Sequence, residues 1–164
     1  MEKVKLNLGC GKDYKKGYIN VDNTPYVKKD VDADLEKYPL PFKNNYADEI
    51  KCMAVLEHLE SPLRFLEEVH RILKPGGKFK FRVPMAFSYV DSCSLTHKSH
   101  FIPETFNHFL KKSKYTQYTQ RVFSKANIWV TIPFFHKLRF PKKLHFLNCF
   151  VNNIFTGIEG ELYK

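Results

Sequence analysis

The sequence predicts an α/β fold built on an open, twisted and mostly parallel sheet, and three observations carry that expectation. Short apolar runs bounded by turn residues occur at 4–8, 18–21 and 47–53, each of strand length. Apolar residues then recur at helical spacing, as Leu63, Leu66, Val69, Ile72 and Leu73, before an alternating run at 78–83. A glycine turn, Gly9-Cys10-Gly11, and an acid, Asp22, close the first two runs, at the sheet edge where folds of this class bind ligands.

Residues 4–8 are the first strand and 18–21 the second. Only nine residues join them, whereas a parallel crossover takes about ten or more and usually carries a helix. The helix after the glycine turn is therefore expected to be a single turn or missing. Residues 30–35 alternate as a third strand with Val31, Ala33 and Leu35 on one face; Asp30, Asp32 and Asp34 read as its solvated face rather than as a hard-metal site. Pro39-Leu40-Pro41-Phe42 fixes an extended segment, placed to cover a bound ligand with its apolar surface. The fourth strand, 47–53, runs into Ala54-Val55-Leu56-Glu57-His58-Leu59, which sets His58 beside the ligand edge. Ser61 is an N-cap, Pro62 a first helical residue, and Lys74-Pro75-Gly76-Gly77 a helix stop. The alternation of Lys, Phe, Lys, Phe, Arg and Val at 78–83 gives a fifth strand with one buried and one wet face, and a bare sheet face suits a protein that has lost helices.

Length and charge limit the rest. A chain of 164 residues with 43% hydrophobic content is expected to form one domain, with a half that holds the ligand, 1–84, and a second half, 85–164. No run of about 18 apolar residues occurs to span a bilayer, and the opening Met-Glu-Lys-Val-Lys enters a strand pattern without a signal or transit signature. A cytoplasmic protein is expected. Cys10, Cys52, Cys93 and Cys149 are far apart, so neither a disulfide framework nor a structural metal is expected, and no residue is assigned as a metal ligand. The net charge of +10 is uneven: residues 105–158 hold nine Lys/Arg and no acid, interleaved with aromatics. Basic residues in 111–143 therefore make nucleic acid a candidate partner; a soluble domain with an aromatic core accounts for the same composition.

The glycine turn and Asp22 together describe a nucleoside cradle. Glycine lets the backbone turn sharply close to a ligand, and a carboxylate can accept two hydrogen bonds from a ribose diol. A dinucleotide fingerprint needs a third glycine where Tyr14 stands, and no P-loop pattern occurs. Seven segments in register carry a resemblance across about residues 4–84: Leu6-Asn7-Leu8-Gly9-Cys10-Gly11, Tyr18-Ile19-Asn20-Val21-Asp22, Asp34-Leu35, Pro39-Leu40-Pro41-Phe42, Asp48-Glu49-Ile50, Val55-Leu56-Glu57-His58-Leu59 and Arg71-Ile72-Leu73-Lys74-Pro75-Gly76-Gly77. In these the chain resembles the class I S-adenosylmethionine-dependent methyltransferases, specifically the small type 11 group.

The resemblance implies a Rossmann-like open sheet whose last two strands, 121–132 and 157–163, form an antiparallel C-terminal hairpin; the reduced helices expected from the short first crossover depart from the larger relatives. It implies S-adenosyl-L-methionine as cofactor, held by Asn7, Gly9, Cys10, Gly11, Asp22, Asp34, Leu35 and Ala54, with Asp34 on the adenine amino group and Leu35 against the ring. The Phe/Lys-rich linker 133–156 is expected as two short helices or a flap. Residues 96–106 resemble the family's histidine-containing loop, leading into a helix at 104–110. If the acceptor is a hydroxyl, a base must take its proton, and His58, His97 and His100 are the candidates; a hydrogen-bonded structural histidine is the competing account of each. Three or four residues precede the first strand, which leaves the acceptor side open or completed by a second subunit in a homo-oligomer. Three functions follow: a methyltransferase for a small or medium-sized acceptor, one for RNA or another polyanion, and a non-catalytic module that binds cofactor or partner.

Overall fold

Alternation of apolar and polar residues builds one sheet with two unlike faces. The computed structural model describes residues 2–110, 119, 121–132, 139–144 and 155–164. Its strands are β1 (Lys5–Leu8), β2 (Ile19–Asp22), β3 (Val31–Asp32), β4 (Ala47–Met53), β5 (Leu73–Pro84), β6 (Lys125–Thr131), β7 (Arg139–Pro141) and β8 (Gly157–Tyr163). They lie in the order β3-β2-β1-β4-β5-β8-β6-β7. The first four pairings are parallel and those of β8 and β7 antiparallel, as the expected fold class requires. Among the described residues no helix separates β1 from β2 or β2 from β3, so the reduction in helices is real.

Helix α1 (Pro62–Ile72) begins as its sequence dictates, with the Ser61 hydroxyl accepting from the Arg64 amide at 3.4 Å and proline in the first turn. It ends two residues before Lys74, because Leu73 is already extended and paired with Ala47. Phe65, Leu66, Val69 and Ile72 are buried, and Phe65 meets Phe79 of β5 edge-on at 6.4 Å. A 3-10 helix at Pro103–Phe109 packs on the same face through Phe106, whose ring centroid is 4.1 Å from that of Phe81. This is the expected 104–110 helix in tighter form.

The other face stays polar. Glu49 of β4 lies 3.1 Å from the Lys80 ammonium and 3.5 Å from that of Lys78, and accepts the Tyr18 hydroxyl. Burial raises the Glu49 carboxyl, but these partners outweigh it and hold the group below the usual carboxylate range. Burial first, then the bond to Glu49, pushes the Tyr18 phenol up to about 12.

Three expectations are corrected. The third strand is two residues rather than six, since only Val31 and Asp32 pair with β2. The 39–42 segment turns inward: Leu40 is in the core and its amide donates to Glu68 Oε1 at 2.7 Å, with Arg71 clamping that carboxylate at 2.6 and 2.7 Å. The linker contributes the edge strand β7, which the sequence does not announce, followed by a 3-10 turn at 142–144; its residues 133–138 and 145–154 lie outside the described residues, as do the two-helix and flap expectations for them.

Candidate functional site

At the carboxyl end of β1 the Gly9 and Cys10 amides both donate to the Val21 carbonyl, at 2.9 and 3.0 Å, which turns the chain across the end of β2. Gly9 sits at φ 65° and Gly11 at φ 49°, a region that disfavours side chains. A Cβ on Gly9 would stand 2.5 Å from Val55 Cγ2. Asp22 ends β2, 8% exposed. Its Oδ2 accepts the Gly11 amide and its Oδ1 the Thr24 amide, both at 2.8 Å. Burial raises this carboxyl, but the Thr24 and Gly11 amides more than offset it and hold it low, so it is charged at neutral pH.

Gly9, Asp22, Thr24, Asp34, Leu35, Ala54, Val55 and His58 line a crevice of about 360 Å³. Its chemistry fits S-adenosyl-L-methionine: a backbone without Cβ at the turn, a charged acceptor with lone pairs remaining for a diol, apolar Leu35, Val55 and Leu59 walls, and Asp34 in the same lining. Asp34 Oδ1 accepts the Glu36 amide at 3.0 Å. Gly11 acts from beside the crevice, through its amide on Asp22. Asn7 and Cys10 stand behind the loop. Buried Asn7 donates to the Asp13 carbonyl at 2.9 Å and to Asn20 Oδ1 at 3.0 Å, and buried Cys10 directs its thiol at the Lys28 carbonyl, 3.7 Å away. Burial, then the neighbouring Asp22 charge, raises that thiol.

A second cavity adjoins the first. Ala54 turns the chain at φ 55°, its amide donating to the Arg82 carbonyl at 2.9 Å, and a 3-10 turn at Leu56–His58 follows. The Glu57 carbonyl accepts the Lys98 and Ser99 amides at 2.7 and 3.2 Å, which stitches the loop after β5 onto the end of β4. His97 thereby meets His58, ring centroids 5.0 Å apart. Glu57, His58, Arg82, Cys93, His97, Thr131 and Thr156 line a cavity of about 430 Å³, and Ala54 and His58 belong to both linings. Glu57 is 1% exposed and burial pushes its carboxyl up.

Of the histidines, the structure brings His58 and His97 together and sets His100 apart. His100 lines a different cavity, with Leu66 and Phe106, and its Nδ1 lies 2.9 Å from Asp91 Oδ2. Sequence reasoning missed Glu57, Arg82 and Thr131 as lining residues. Glu57 lies in the quoted Val55–Leu59 motif, whereas Thr131 comes from β6 and has no local signal. In the basic segment 111–143, residues 111–118, 120 and 133–138 lie outside the described residues. Arg139 stands 4.9 Å over the Trp129 ring and pairs with Glu159 at 2.9 Å. No helix among the described residues is long and apolar enough to cross a membrane.

The methyltransferase-domain family model matches residues 6–81. A ubiquinone/menaquinone biosynthesis C-methyltransferase from Coxiella burnetii is 41% identical over 58 residues, 35% of this chain and 21% of that protein, so the matched stretch spans about a fifth of the relative. A SAM-dependent methyltransferase from Archaeoglobus fulgidus superposes with TM-score 0.66 at 16% identity, covering 99% of this chain and 86% of that one. Phosphoethanolamine N-methyltransferase 2 from Haemonchus contortus, in complex with S-adenosyl-L-methionine, gives 0.62 at 13% identity, covering 100% and 49%. At such identities the two superpositions speak for the fold, and the stretch matched by the family model contains the glycine turn, the Asp22 strand end and the Val55–Leu59 segment. Together they give residues 6–81 the signature of a methyltransferase domain and the described chain the fold of S-adenosylmethionine-dependent methyltransferases.

Proposed function

We propose that this chain transfers a methyl group from S-adenosyl-L-methionine to a small or medium-sized acceptor bound in the cavity that Glu57, His58 and His97 line. The observation that carries the reading is the shared wall: Ala54 and His58 line both the nucleoside crevice and this second cavity, so donor and acceptor would meet there. A volume of about 430 Å³ is in the range of small-molecule sites. Bound S-adenosyl-L-methionine supplies an electrophilic methyl group on a sulfonium, and displacement at that carbon asks the protein chiefly for alignment. Asp22 would hold the ribose and Asp34 and Leu35 the adenine, with Ala54, at φ 55°, in the wall common to the two sites. His58 and His97 act on the acceptor, positioning its reacting atom and assisting loss of its proton where that atom is a hydroxyl oxygen.

The test is formation of S-adenosylhomocysteine by the purified chain over a panel of hydroxyl, amine and carbon acceptors, with His97→Ala beside it. Turnover that falls in the variant while S-adenosyl-L-methionine affinity holds supports the reading; turnover unchanged in the variant refutes the role of this cavity. A second reading, an RNA or other polyanionic acceptor, draws on the sheet edge, where Trp129, Arg139, Lys142 and Lys143 line one cavity. Binding of an RNA oligonucleotide that weakens steeply with salt and competes with turnover would favour it.

A further inference from the structure

We infer that Glu57, His58 and His97 form a binding site for a divalent transition-metal cation, best suited to Zn²⁺, in the wall of the acceptor cavity. One donor atom from each of the three lies within 4.8 Å of the other two. They come from two segments 40 residues apart in the chain, joined by the bonds from Lys98 and Ser99 to the Glu57 carbonyl, so no sequence spacing announces them.

Two independent features point to a ligand at this spot. Glu57 Oε2 is a fully buried oxygen without a hydrogen-bond partner, and a buried polar atom left unpaired costs about 1–3 kcal/mol. His97 Nδ1 lies 2.9 Å from the Asp91 carbonyl, and His58 Nδ1 lies 3.1 Å from both the carbonyl and the hydroxyl of Thr96. A carbonyl only accepts, so a neutral ring facing one carries its proton on Nδ1 and leaves the Nε2 lone pair bare; the Thr96 hydroxyl fits that arrangement at His58 by donating to Ser94 Oγ, 2.9 Å away. Both rings are thus held in the tautomer of a metal-ligating histidine, whose second nitrogen donates to a carbonyl behind it. The donor set of two imidazoles and one carboxylate suits Zn²⁺ and its neighbours, and three protein ligands leave a position open to the cavity. Metal–donor lengths of about 2.1 Å need tetrahedral donors about 3.4 Å apart, so the side chains close by about an ångström on the ion. The cation site goes beyond the proposed reaction and does not require it; with the ion in place, the two histidines would reach the acceptor through it.

The experiment is calorimetric titration of the full chain with ZnCl₂, repeated with Co²⁺ for its visible absorption, and alongside it a separate titration with S-adenosyl-L-methionine that tests the cofactor reading on its own. The expected result is one cation per chain, weakened at least about 100-fold in Glu57→Gln and in His97→Ala and unchanged in His100→Ala, whose ring lies in the other cavity. Cys93 lines the same cavity and is the competing ligand, so Cys93→Ser is included. Should either ligand variant unfold, a long-range ¹H–¹⁵N spectrum of the wild-type chain decides: Zn²⁺ should move the Nε2 resonances of His58 and His97 and leave those of His100. Absence of saturable binding, retention in the Glu57 and His97 variants, loss in Cys93→Ser, or an unmoved pair of Nε2 resonances would each overturn the site.

Discussion

The two adjoining cavities treat a buried carboxyl in opposite ways. In the nucleoside crevice Asp22 is met by two backbone amides at 2.8 Å and held ionised. In the acceptor cavity Glu57 leaves one oxygen unpaired and is pushed toward its neutral form by burial. The first arrangement is complete without further partners and presents a fixed negative charge to a polar ligand. The second is unsatisfied as it stands, a state that proteins sustain where function requires it. The difference teaches that the donor side is built from backbone geometry, while the acceptor side is built from side chains carried there by distant segments.

The contrast can be broken most severely at His97. Replacement by alanine should lower turnover about 100-fold, the scale of a positioned proton-transfer group, with S-adenosyl-L-methionine affinity unchanged, since His97 lines only the acceptor cavity; initial rates beside a binding isotherm check this. Gly9→Ala strikes the other side. A side chain at φ 65° against Val55 should cost about 2 kcal/mol, read as a fall of several degrees in the unfolding midpoint. The mildest test compares the two carboxyls by neutral amides. Glu57 has a raised pKa in the fold, so its ionisation withdraws stability as pH climbs through that value; Glu57→Gln should therefore gain about 1 kcal/mol in metal-free protein, mostly above the carboxylate range. Asp22 has a lowered pKa, so its contribution is present above the unfolded value and lost as pH falls. Asp22→Asn should therefore destabilise at neutral pH and approach wild type in acid, and thermal melts across pH 3–8 separate the two signs.

Much of this was legible because its causes are local. The glycine turn, the Asp22 strand end, the Ser61-Pro62 helix start and the Lys/Phe alternation of β5 each depend on neighbours within a few residues, and the short first crossover follows from chain length alone. Leu40 misled for a tertiary reason: an apolar residue between prolines can cover a ligand or dock on α1, and the Glu68–Arg71 clamp decides for α1. The pairing of His97 with His58 and the separation of His100 depend on which amides reach the Glu57 carbonyl, and three-residue spacing on a loop does not encode that. Edge strand β7 is three residues of linker recruited by β6, too short to carry a period of its own.

The cradle at Asp22 is the central claim, and calorimetric titration with S-adenosyl-L-methionine and S-adenosylhomocysteine, wild type against Asp22→Ala, tests it most directly. Removing the carboxylate deletes the ribose acceptor and strands the Gly11 and Thr24 amides, at about 1–3 kcal/mol for each group left unpaired. Saturable wild-type binding that weakens about 100-fold in the variant is the predicted result. Equal binding by the two proteins, or none by the wild type, would contradict it.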